Sequence, residues 1–126
     1  PDAAQVLAAN LTRFRVAGRT IAVCGMLADK DVGSVVETLR GSVDTWIAAS
    51  TDGPRALEDA ALAVRAVASG VMMTPGGTVP EALQRAAALA TPGDRVVVFG
   101  SFHTVGPALE HLGRAGARGD QSALCV

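Results

Sequence analysis

Apolar residues at Ala3, Leu7, Leu11 and Phe14, with Val6 beside Leu7, recur at the spacing of one helical face and predict a helix over residues 2–15. Gly18 breaks that pattern. Thr20–Cys24 (TIAVC) is short and almost wholly apolar, as a strand covered on both faces would be, and Gly25 ends it. The loop MLADKD leads into a second helix that starts at Asp31 or Ser34 and stops at Gly41. Ser34 and Glu37 have the spacing of a capping box, and Asp31 is the competing cap. The alternation then continues. A strand at Thr45–Ala49 is followed by the turn Ser50–Pro54. A helix at Ala56–Ser69 carries Leu57, Ala60, Ala61, Val64 and Val67 as its apolar face. A short strand at Val71–Met73 precedes a helix that Thr78 and Glu81 open as a capping box and that ends at Ala90. Arg95–Phe99 (RVVVF) is the strongest strand pattern in the chain, and a last helix is expected over Val105–Leu112.

Strands alternating with helices imply parallel βαβ units. The expected fold class is α/β: a three-layer sandwich in which a mostly parallel sheet carries helices on both faces. The first element is a helix with no strand before it, so a first strand is expected to be missing upstream of Pro1. A chain that starts with proline rather than methionine is expected to begin inside a reading frame or to be processed. Residues 1–112 make one domain. Residues 113–126, rich in glycine and arginine, are expected to form a flexible tail.

Composition narrows the function. A formal net charge of −1 over 126 residues removes the electrostatic basis for a dedicated nucleic-acid binder. No apolar run approaches the roughly 20 residues that cross a bilayer, so no membrane partner is expected. With no signal peptide and only Cys24 and Cys125, neither a disulfide framework nor a thiolate metal site is expected, and the compartment is expected to be cytoplasmic. Lys30 is the only lysine against ten arginines.

In sheets of this class, ligands sit outside the C-terminal strand ends. Those ends are Gly25–Asp31, Ser50–Arg55, Thr74–Thr78 and Gly100–Thr104. None of them holds a P-loop: Lys30 lacks a preceding glycine and is followed by Asp31. A dinucleotide GxGxxG and a hydrolase GxSxG elbow are also absent. No His, Cys, Asp or Glu spacing suggests a metal. Two segments carry the remaining chemistry. GMLADKD sets one cation, Lys30, between Asp29 and Asp31 beside a helix N-terminus, which suits an anionic substrate. Helix capping by Asp31, with Lys30 in water, accounts for the same acids. GSFHT after the strongest strand offers the Ser101 hydroxyl, the His103 imidazole and backbone N–H groups to a carboxylate. It reads equally as a strand-to-helix turn capped by Thr104. A receiver domain, the specific form of a non-catalytic α/β regulatory module, is the alternative. It is disfavoured because Asp52 alone follows the second strand and Gly100–Thr104 contains no lysine.

Taken in order, GMLADKD with its amphipathic helix, Pro54-Arg55 before the next helix, and RVVVFGSFHTV resemble the C-terminal domain of the bifunctional dihydrofolate synthase/folylpolyglutamate synthase family, within the Mur ligase superfamily. The resemblance runs from Pro1 to Leu112, and Pro1 itself looks like the last residue of the family's Ala-His-Asn-Pro signature. It implies a Rossmann-like fold and one reaction class. ATP phosphorylates a carboxylate of dihydropteroate or a folate, L-glutamate attacks, and an amide forms, as in folate biosynthesis and polyglutamylation. It further implies that ATP and Mg2+ are held mainly by an N-terminal ATPase domain, and that this chain alone binds neither and is inactive. The implied roles are Lys30 as the catalytic cation and Ser101 as a donor to glutamate. His103 would orient, and Asp29 and Asp31 would shape the loop at the substrate. Arg55 would open a helix.

Overall fold

The structure, a computed structural model, describes residues 2–100 and 123–125. The elements are α1 (Asp2–Arg13), β1 (Thr20–Gly25), α2 (Val32–Leu39) with a 3-10 turn at Arg40–Ser42, β2 (Thr45–Ala48), α3 (Asp59–Val67), β3 (Met73–Pro75), α4 (Val79–Leu89), β4 (Arg95–Gly100) and β5 (Ala123–Cys125). The strands form one sheet in the order β3-β2-β1-β4-β5, and every pairing is parallel. This is the three-layer, Rossmann-like α/β arrangement the sequence implies.

The two-residue period of the strands divides the core. Ala22, Cys24, Trp46, Ala48, Val97 and Phe99 point to the side where α1, α2 and α3 contribute Leu7, Leu11, Val36, Leu39 and Leu62. Ile21, Val23, Ile47, Ala49 and Val98 point the other way and meet Val79, Ala82, Leu83 and Ala86 of α4. All six residues of β1 are buried, as a central strand covered on both faces requires. Trp46 and Phe99 pack edge to face, 6.0 Å between ring centres. Cys24 is fully buried, and burial pushes its thiol up, out of the reactive range.

Several elements depart from the sequence expectation. Helix α1 ends at Arg13, so Phe14 lies outside the core; the buried row is Ala4, Leu7 and Leu11, and the Arg13 guanidinium covers the Phe14 ring at 5.3 Å. Helix α3 begins at Asp59 rather than Ala56, because Leu57 is tied back to Thr51: the Leu57 N–H donates to Thr51 Oγ1 and the Thr51 N–H to the Leu57 carbonyl. Its buried seam is Leu62 and Ala66, while Val64 and Val67 of the expected apolar face are 73% and 57% exposed. Strand β3 starts two residues late, since the Val71 N–H closes α3 on the Ala66 carbonyl. Asp31, not the Ser34 hydroxyl, caps α2. The Thr78/Glu81 box forms with both of its bonds. The expected helix Val105–Leu112 lies outside the described residues. Within the stretch expected as a tail, Ala123–Cys125 forms β5 beside β4.

The N-terminal end of the sheet is closed by charged groups turned inward. Arg95, buried, donates Nε to Thr20 Oγ1 at 2.7 Å and its two terminal nitrogens to the Phe14 and Leu11 carbonyls, which are left open where α1 ends. Desolvation lowers the affinity of this guanidinium for its proton, against an opposing contribution from Asp44. Asp94 accepts from the Thr91 N–H and hydroxyl and from the Arg19 N–H and guanidinium. Those donors, the Thr91 N–H first and the Arg19 N–H next, hold its carboxyl well below the usual carboxylate range. Gly18 passes so close to Asp94 that a side chain there would collide with it.

Candidate functional site

The C-terminal strand ends form the other pole. There β1 and β4 remain paired to their last residues, Gly25 opposite Gly100. Gly100 has φ +136°, and a Cβ on it would overlap the Gly25 carbonyl oxygen. Only glycine fits. The segment GMLADKD therefore leaves the sheet beside the last residue of β4.

The GMLADKD loop is held along its length. Met26 and Leu27 are buried. The Met26 carbonyl accepts from the buried Thr51 hydroxyl at 3.2 Å. Both peptide groups of Ala28 are engaged: its N–H donates to the Arg55 carbonyl at 2.8 Å, and its carbonyl accepts from the Arg65 guanidinium at 2.7 Å. Asp29 forms an ion pair with Arg55 at 2.9 Å, and both side chains are more than half exposed. The Lys30 N–H donates to the Leu27 carbonyl, and the Lys30 carbonyl accepts from the Val32 N–H. Asp31 accepts from the Ser34 N–H at 3.1 Å. Lys30 is exposed, and no ion pair among the described residues includes it.

Of the sequence-predicted residues, Lys30, Asp29 and Asp31 thus share one ordered loop, with the two carboxylates already engaged. Arg55 does not open a helix; it lies in the turn before α3. Ser101 and His103 fall outside the described residues. A second cluster was not anticipated. Asp59, in the first turn of α3, accepts from the Gly77 N–H at 2.8 Å and from the Ser50 hydroxyl at 3.1 Å, while its own N–H donates back to Ser50 Oγ. Burial works to raise the Asp59 pKa, but the N–H groups of Gly77 and Ala60 and the Ser50 hydroxyl outweigh it, and the carboxyl sits below its ordinary value. This carboxylate ties the turn after β3 to the turn after β2. The Ser50 N–H adds a bond to the Gly77 carbonyl at 2.7 Å. Thr51 and Arg65 were also missed. Thr51 carries a weak sequence signal, a hydroxyl at a strand end. Arg65 carries none, because its partner is 37 residues away.

The arrangement offers an anion one ammonium group on a loop whose acids are occupied elsewhere. Among the described residues no three His, Cys, Asp or Glu side chains gather as a metal site would require. No described helix is long and apolar enough to cross a membrane.

Comparison with known proteins places this geometry. Residues 1–102 match the family described as Mur ligase, glutamate ligase domain. The dihydrofolate synthase/folylpolyglutamate synthase of Haemophilus influenzae is 36% identical over 109 residues, which are 83% of this chain and 25% of the relative. The structure of Escherichia coli FolC in complex with DHPP and ADP superimposes with a TM-score of 0.82 at 34% identity, over 91% of this chain and 27% of that one. A bifunctional folylpolyglutamate synthase/dihydrofolate synthase with Mn, AMPPNP and L-glutamate bound superimposes with a TM-score of 0.78 at 33% identity, over 90% of this chain and 27% of that one. The chain spans about a quarter of the length of these relatives.

Proposed function

The chain belongs to the glutamate ligase domain family of the Mur ligases, in its dihydrofolate synthase/folylpolyglutamate synthase branch, and from that membership we propose that it serves an ATP-dependent ligase that joins L-glutamate to dihydropteroate or a folate. In this reaction a substrate carboxylate takes the γ-phosphoryl group of ATP and becomes an acyl phosphate. The glutamate amine attacks the acyl carbon, the C–O bond to phosphate breaks, the amine loses a proton, and an amide and inorganic phosphate result. No protein nucleophile is needed.

The role of this domain is to present the strand-end loops to the reacting groups and to shut out water, which would hydrolyse the acyl phosphate. Lys30 supplies positive charge to the phosphates or to the glutamate carboxylate. Asp29 and Asp31 shape the loop, Asp29 through Arg55 and Asp31 through the α2 N-terminus. Ser101 donates to a glutamate carboxylate, and His103 orients it. ATP and Mg2+ are assigned to the rest of the full-length ligase. Among the described residues no three His, Cys, Asp or Glu side chains gather as they would around a metal, and the sequence has no P-loop. By the same assignment the chain alone is inactive, and its cellular setting is the cytoplasm.

The observation that carries this reading is the exposed Lys30 on a loop pinned at its backbone, in a chain with no other lysine. Its test is charge replacement in the full-length ligase. Lys30→Met should lower kcat for glutamate ligation by about 10²-fold or more, and Lys30→Arg should recover part of it. Turnover by Lys30→Met at the parent rate would reduce the loop to a helix cap.

A further inference from the structure

We infer that Arg55 is a positioning residue for Lys30: it grips the two residues before Lys30 from outside the loop, and the ligation rate depends on that grip. This inference rests on the reading of Lys30 given above. Arg55 acts through two groups at once. Its carbonyl takes the Ala28 N–H at 2.8 Å, and its guanidinium takes the Asp29 carboxylate at 2.9 Å. From the next helix, Arg65 takes the Ala28 carbonyl at 2.7 Å. On the other side of Lys30, Asp31 is fixed to the first turn of α2. The lysine therefore sits between two anchored neighbours, and only its side chain is left to move. The Asp29 carboxylate, one of the two anions adjacent to Lys30 in sequence, is turned to Arg55. Without Arg55 it becomes an available partner for the Lys30 ammonium, which would neutralise the charge the reaction uses.

The ion pair is exposed on both sides, so it adds little to stability. Its effect should appear in the rate, because small misplacements of a charge at the reacting centre are costly there. Arg55→Gln keeps the main-chain bond and removes only the grip on Asp29. In the full-length ligase it should lower kcat about 10- to 100-fold and leave the melting temperature unchanged. The charge swap Arg55→Asp with Asp29→Arg should restore most of the rate. In a Lys30→Met background, Arg55→Gln should cost nothing further, since a residue that acts through Lys30 has nothing left to position.

Four results would overturn the inference, and they can be told apart. A full additional loss in the Lys30→Met background would mean that Arg55 meets the substrate itself. A swap that recovers nothing would mean that the pair is not what matters. A silent Arg55→Gln beside a crippled Lys30→Met would remove Arg55 and leave the role of Lys30 standing. A silent Lys30→Met would remove both.

Discussion

The two ends of the sheet use charge in opposite ways. At the N-terminal end, Arg95 and Asp94 are buried, and each satisfies several backbone groups that would otherwise lack partners. At the C-terminal end, Asp29 and Arg55 pair in the open and Lys30 faces solvent. A buried charge that caps a helix end and joins α1 to β1 and β4 is part of what holds the fold. An exposed charge on a clamped loop adds little stability, and its position is maintained by neighbours that are themselves inexpensive to change. The contrast teaches that stability and function are separable here by pole, even though both poles are rich in hydrogen bonds.

Substitutions at the two poles should therefore fall on different axes. The largest stability loss is expected for Arg95→Leu. It leaves the Leu11 and Phe14 carbonyls and the Thr20 hydroxyl without their donor, and at about 1–3 kcal/mol for each unsatisfied group it should cost about 3 kcal/mol or more in thermal or urea unfolding. A loss under about 0.5 kcal/mol, the usual range for surface changes, would dissolve the contrast.

Asp94→Asn should destabilise less, since the amide keeps the shape and one acceptor oxygen. Its signature is the pH dependence. The folded carboxyl lies below the unfolded one, so its contribution is complete above the unfolded pKa of about 4 and is lost as pH falls toward the folded value. The stability gap between the parent and Asp94→Asn should be widest at neutral pH and should narrow below about pH 4. A gap that is constant with pH would deny Asp94 its charged role.

Smaller still is Thr78→Ala. It breaks one half of the capping box at the start of α4 and should cost about 1 kcal/mol, without altering the GMLADKD loop on the opposite layer. Chemical shifts of that loop in the variant would check this.

Much of the fold could be read in the sequence, for physical reasons that differ by element. Strands β1 and β4 are continuous apolar runs because both their faces are covered, and such runs are conspicuous. The α4 box was visible because both of its bonds are local. Helix α3 was misread because alanine and valine are abundant on every side of it. The seam that tertiary packing selected, Leu62 and Ala66, is narrower than the pattern suggested. Strand β5 was hidden because three residues beside a glycine- and arginine-rich stretch have no period to detect. At the candidate site, the chemistry of Lys30 and its flanking acids was legible, but the partners of those acids were not. Asp29 meets Arg55 across 26 residues, and Ala28 meets Arg65 across 37. Such contacts are set by how α2 and α3 lie against the sheet, and no local spacing encodes them.

The central claim is that Lys30 serves catalysis and not the fold. The most direct measurement is kcat and melting temperature for Lys30→Met, taken on the same preparation of the full-length ligase. A fall in kcat of about 10²-fold or more with a stability change within about 0.5 kcal/mol is expected. An unchanged kcat, or a lost rate that tracks an equally lost melting temperature, would contradict it.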